Sequence, residues 1–103
     1  MKRTERIAQM EECLEVSQEA IEAFSEALDK YEAAQPEWKK LSDYYGSTKW
    51  MSDYEADEAG KLPKDLKRGV LSEDTVYDLI IENRELVARM ARLVAHAIEN
   101  VTI

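Results

Sequence analysis

Every residue that commonly interrupts an α-helix lies in the central stretch of this 103-residue sequence. These prolines and glycines are Pro36, Gly46, Gly60, Pro63 and Gly69. Because residues 1–35 and 70–103 contain none of them, each flank can form one long helix. We predict these two long helices at about 4–35 and 72–100.

The first flank carries a heptad pattern, with apolar residues at alternating spacings of three and four. We call this set the seam, and it consists of Ile7, Met10, Leu14, Ser17, Ile21, Phe24, Leu28 and Tyr31. Such spacing is typical of a coiled coil or a helical bundle. Acidic residues run along the opposite face from Glu5 to Asp29, and like charges four residues apart repel each other. The helix therefore depends on its seam, in which Ser17 is interpreted as a residue that fixes register.

The last flank begins with clear helix-start signals. Ser72 can cap the helix, Glu73 and Asp74 suit its positive end, and Leu71 can pack onto Val76. Three apolar columns follow at helical spacing, and Asn83 interrupts one of them. Asn83 is also interpreted as fixing register, and pairing of Asn83 with Ser17 stays open.

Two short helices and an ordered connector are predicted between the flanks. Pro36 suits the first turn of one short helix, which ends near Gly46. Ser47 can cap the other, which ends near Gly60. The connector is expected to be anchored by Leu62, Leu66, Val70 and Leu71. The prediction is one all-α domain over residues 1–103, a three- or four-helix bundle in which the relative direction of the long helices stays open.

Composition narrows the classes of function. Hydrophobic residues make up 45% of the chain, which suits a globular domain, and the net charge of −8 argues against binding to nucleic acid or anionic membranes. The single cysteine, Cys13, rules out an internal disulfide and fits a reducing compartment. The segment MKRTERIAQMEE lacks the apolar core of a signal peptide, so none is expected. No apolar run reaches the ~20 residues needed to span a membrane. We therefore expect a cytoplasmic protein.

Tests for a reactive site give no catalytic residue, cofactor motif or metal site. The segment DYEADEAGKLPKDLKRGVLSED starts like a calcium loop, but Glu58 and Lys64 occupy the positions that require glycine and glutamate. His96 and Cys13 lack the partners that metal binding or nucleophilic chemistry needs. An enzyme is not expected.

The connector and the aromatic residues offer a candidate interaction surface. Lys61, Lys64, Lys67 and Arg68 could hold an anion or an acidic partner, or could only offset the nearby acids. The clustered aromatic residues could form either a core or an exposed interface, because tryptophan and tyrosine serve both purposes. The candidate surface comprises Trp38, Tyr44, Tyr45, Trp50, Tyr54, Lys64, Lys67 and Arg68.

The segments LSDYYGS, WMSDYEADEAGKLP and DLKRGVLSED resemble a family of small bacterial proteins classed as a domain of unknown function. The flanking helices resemble that family in pattern, so the resemblance covers most of the chain and is most specific in residues 40–80. It implies a short, cytoplasmic, helical, single-domain bacterial protein. Because the family has no assigned activity, it transfers no catalytic residue.

Three functions agree with these observations. The first is a non-enzymatic protein–protein interaction module, for which self-association is one option. The second is an acidic regulator that occupies the basic site of a nucleic-acid-binding protein. The third is an enzyme or small-ligand binder that uses the Tyr44–Lys64 region.

Overall fold

The computed structural model describes residues 2–100, and its regular elements are all helical, as predicted. Helix α1 spans Arg3–Tyr44, α2 spans Thr48–Glu58, a 3₁₀ turn spans Gly69–Leu71, and α3 spans Glu73–Asn100. No strand occurs among these described residues. The two long helices and α2 match predicted elements, whereas the predicted short helix at Pro36 is not a separate element.

Helix α1 continues through Pro36 to Tyr44, which corrects the predicted break at residue 35. An interior proline leaves one carbonyl without its amide donor and costs about 3 kcal/mol. Beside that gap, the side-chain amide of Gln35 donates a hydrogen bond to the carbonyl oxygen of Tyr31 at 3.2 Å. Trp38 follows Tyr31 by seven residues and both are half-buried, so these two side chains lie on the same face of α1 across the proline.

The turn between α1 and α2 follows the predicted chemistry. Gly46 adopts a positive φ of 79°, a left-handed conformation that glycine reaches without steric cost. The amide of Ser47 then donates to the carbonyl oxygen of Tyr44 at 3.0 Å. The hydroxyl of Ser47 accepts a bond from the Trp50 amide at 3.1 Å, which confirms Ser47 as the cap of α2.

Helix α2 ends at the predicted glycine in a Schellman motif. Gly60 has a φ of 69°, its amide donates to Asp57, and the Lys61 amide donates to Ala56, both at 3.0 Å. These two bonds satisfy carbonyls that the helix end would otherwise leave unpaired.

The connector is anchored mainly at its end. Leu71 is buried and Leu62 is half-buried, but Leu66 and Val70 are exposed, so the expected anchoring by all four residues is wrong for these two. Leu71 and Val76, which lie on either side of the start of α3, are both buried. Their burial is what the predicted packing of Leu71 onto Val76 requires.

Contacts divide the chain into two units, Met1–Ser42 and Asp43–Ile103. The first consists of α1 without its last two residues, and none of its described side chains is buried. The second contains the buried hydrophobic residues of the described chain, which are Trp50, Leu71 and Val76. None of the described helices combines the length and the apolar character needed to cross a membrane.

Candidate functional site

The second unit is organised around Trp50, which has only 7% of its surface exposed. The Ser47 cap places Trp50 in the first turn of α2, where the indole ring points into the unit. Its ring N–H donates a hydrogen bond to the carbonyl oxygen of Val70 at 2.8 Å. Burial of an indole is stable only when this polar group finds a partner, and the connector backbone supplies one.

Two tyrosine rings pack on Trp50 in different geometries. Tyr45 meets it edge to face, with ring centres 5.4 Å apart and planes at 69°. Tyr54, one helical turn after Trp50, stacks on it at 5.3 Å with an interplanar angle of 18°. Each such aromatic pair contributes about 0.5–1.5 kcal/mol beyond the burial of its surface. The three rings form a packed group, which we call the aromatic cluster.

The hydroxyl groups of the aromatic cluster reach the first residue of α3. Tyr45 donates to the backbone carbonyl oxygen of Glu73 at 3.2 Å, and Tyr54 donates to the Glu73 carboxylate at 2.9 Å. The hydrogen bond to the Glu73 carboxylate is the main cause that raises the pKa of the Tyr54 phenol. Glu73 therefore joins α2 to α3 in addition to starting the helix.

Tyr44 points to a different partner from its neighbour Tyr45. Its hydroxyl donates to the Asp53 carboxylate at 2.5 Å. This hydrogen bond, with burial and the charge of Asp53, raises the pKa of Tyr44 from 10.0 to about 12. The phenol is protonated at neutral pH even at the ordinary pKa of 10.0, and in this structure it acts as a hydrogen-bond donor.

The basic residues of the connector are placed in two ways. Arg68 is half-buried and forms an ion pair with Asp57 at 2.8 Å. Lys64 and Lys67 are exposed, as is Lys61. The interpretation that connector bases offset nearby acids thus describes Arg68, whereas anion binding by the lysines stays a prediction.

The structure brings together Tyr45, Trp50 and Tyr54 of the predicted surface, and Trp50 lies in a core and not on an interface. Trp38 lies in the first unit, where it is half-buried. Sequence reasoning missed the role of Glu73 and of the Val70 carbonyl. The backbone acceptors at Val70 and Glu73 leave no signal in the sequence, and the bond to the Glu73 carboxylate depends on the path of the chain.

The arrangement is one of packing and mutual hydrogen bonding. Within residues 2–100, no three His, Cys, Asp or Glu side chains are grouped so that they could hold a metal ion. The polar atoms of the aromatic cluster are directed at protein acceptors of the same unit. Chemically, the cluster can stabilise the junction of α2 with α3.

Comparison with known proteins gives a family and no function. No curated protein and no solved structure matches the chain. A family described as a domain of unknown function (DUF4298) matches residues 7–93, which include the seam, the aromatic cluster and most of α3. Since this match covers most of the sequence, the chain belongs to that family of unknown function.

Proposed function

We propose that this protein is a non-enzymatic interaction module that associates with a second copy of itself through the seam of α1. The observation that carries the proposal is the exposure of the seam. Within the first unit, Ile21 is 70% exposed and Met10 and Phe24 are each more than half exposed. A single helix has no interior of its own, so only packing against another surface can cover this apolar face.

The free energy of the isolated helix supports the need for a partner. Isolated helices are marginally stable in water, and most helical stability in proteins comes from packing of an amphipathic face. In α1, the acidic residues between Glu11 and Asp29 repel one another, and Pro36 removes one backbone bond. Burial of the seam can compensate for the charge repulsion and the lost backbone bond, because each apolar side chain that becomes buried contributes about 1.5–3 kcal/mol.

The seam is complementary to itself, which favours a second copy over other apolar surfaces, such as the exposed side of α3 at Leu79, Leu86 and Leu93. The seam presents aliphatic and aromatic side chains at heptad spacing, and the same pattern on another copy can interdigitate with it. Closed pairing of identical faces is also the commonest form of protein assembly.

The test is the molar mass of the protein across a wide range of concentration, measured by sedimentation equilibrium. We expect the mass to rise from 11.9 kDa towards twice that value. Ile21→Lys should raise the dissociation constant of the dimer by at least ~100-fold, because it places a charge in the covered seam. It should cost the separate chain little, since Ile21 is exposed there.

Ala23→Lys is the matched control, because it adds the same charge two residues away and outside the seam. It should associate like the wild type. A wild-type protein that remains monomeric at every concentration would contradict the proposal, as would equal association of Ile21→Lys and Ala23→Lys.

A further inference from the structure

We infer that the α1 helices of two copies pair in parallel and in register, with each seam residue facing its own counterpart. The inference rests on the proposed self-association and specifies its geometry. Two features of the helix carry it, namely a polar residue inside the seam and a pair of opposite charges beside it.

The polar residue is Ser17, which occupies a seam position between Leu14 and Ile21. In a parallel pair in register, Ser17 faces Ser17 of the other copy, and the two hydroxyls can bond to each other. In an antiparallel pair that aligns the seam end to end, Ser17 lies opposite Ile21 twice, which leaves two covered hydroxyls facing apolar side chains. Covered polar groups need partners, and one polar seam residue commonly sets register.

The opposite charges are Arg6 and Glu11, which flank the seam on its two sides. Arg6 precedes the seam residue Ile7, and Glu11 follows the seam residue Met10. In a parallel two-stranded coiled coil, side chains at these two positions, five residues apart, come together across the two helices. Arg6 of each copy thus approaches Glu11 of the other, which forms two attractive pairs. The same antiparallel alignment separates these residues.

The acidic face does not oppose this arrangement. Glu5, Glu12, Glu19 and Glu26 lie opposite the seam, so they point outwards on both copies. Two helices side by side place these outer faces roughly 20 Å apart, since each helix is about 10 Å wide. That separation exceeds the screening length of about 8 Å at physiological salt.

Disulfide trapping in the full-length chain tests the direction of pairing. Cys13→Ser first removes the native thiol, and Met10→Cys then places a single thiol at a seam position. In the parallel pair this thiol faces its counterpart, within the span of a disulfide. In the antiparallel pair the two thiols are about 27 Å apart along the axis, because Met10 lies opposite Leu28.

We expect Met10→Cys to form a covalent dimer in a glutathione redox buffer, well ahead of the control Glu12→Cys on the outer face. Mixed with Leu28→Cys, it should give only dimers of identical chains. Predominant Met10→Cys/Leu28→Cys dimers would overturn the parallel geometry while leaving self-association intact. If neither variant forms a covalent dimer and sedimentation shows a monomer, the self-association itself is contradicted.

Charge exchange gives a second measurement that needs no new thiol. Arg6→Glu and Glu11→Arg should each weaken dimerisation roughly two- to thirtyfold, since each replaces two surface attractions by repulsions. The double variant Arg6→Glu with Glu11→Arg should restore wild-type association. Additive weakening in the double variant would overturn the parallel register.

Discussion

The two units of this chain obtain their stability in different ways. The second unit encloses Trp50, Leu71 and Val76, and hydrogen bonds from its aromatic side chains join α2, the connector and α3. The first unit is one helix with no buried side chain among its described residues, and its seam is largely exposed. Along α3 of the second unit, Leu79, Leu86 and Leu93 are exposed as well. The difference shows that the aromatic cluster finds its partners inside its own unit, whereas the heptad pattern of α1 does not.

Trp50 should be the most sensitive position of the second unit. Trp50→Ala removes the buried indole and its bond to Val70, and we expect a loss of about 3–5 kcal/mol in the free energy of unfolding. Hydrogen exchange would localise the effect: amides of α2 should exchange much faster, whereas those of residues 7–31 should keep their wild-type rates. Chemical denaturation followed by circular dichroism measures the total loss in the free energy of unfolding.

Two further substitutions separate the causes of that loss. Trp50→Phe keeps an aromatic ring but removes the indole N–H, so it should cost less than Trp50→Ala. Met51→Ala is the control on the same helix, because Met51 is exposed, and it should change stability by no more than about 0.5 kcal/mol. A Trp50→Ala variant that loses less than the Met51→Ala control would refute the assigned core.

The helix ends were predictable because the signals for them are local. Gly46, Ser47 and Gly60 act through their own backbone conformation or through bonds to residues a few places away. Pro36 is also a local signal, and it led to the wrong prediction that the first helix ends at residue 35. A proline raises the local cost of a helix, but α1 nevertheless runs through Pro36 to Tyr44.

The candidate site was only partly predictable. The sequence indicates that Trp50 and Tyr54 lie one turn apart on a short helix, so their proximity follows from helical spacing. It does not indicate which atoms they contact. The Val70 carbonyl and Glu73 lie about 20 residues away along the chain, and their approach depends on the path of the irregular connector.

Pro36 offers a way to strengthen the first unit alone. Pro36→Ala restores one backbone donor inside α1 and removes the clash of the proline ring, so we expect stabilisation of about 1–3 kcal/mol. The thermal midpoint must be compared at equal protein concentration, because dimerisation makes it concentration-dependent. Glu37→Ala is the control at the next position. A midpoint for Pro36→Ala at or below that of Glu37→Ala would contradict the cost assigned to the proline.

The smallest expected effect concerns the hydrogen bond between Tyr44 and Asp53. The pKa of Tyr44 in the folded protein, about 12, lies above the ordinary value of 10.0, so folding favours the protonated phenol. The resulting stabilisation is complete below pH 10 and is lost as the pH rises towards 12. Asp53→Ala should bring the pKa of Tyr44 back towards 10 and weaken this pH dependence.

The measurement is the ultraviolet absorbance of tyrosinate during an alkaline titration. The difference between wild type and Tyr44→Phe isolates the signal of this residue from the other tyrosines. Glu55→Ala, which removes an exposed carboxylate from the same helix, should leave the Tyr44 transition in place. If the Tyr44 transition lies at the same pH in Asp53→Ala and Glu55→Ala, the hydrogen bond to Asp53 is not what raises the pKa of Tyr44.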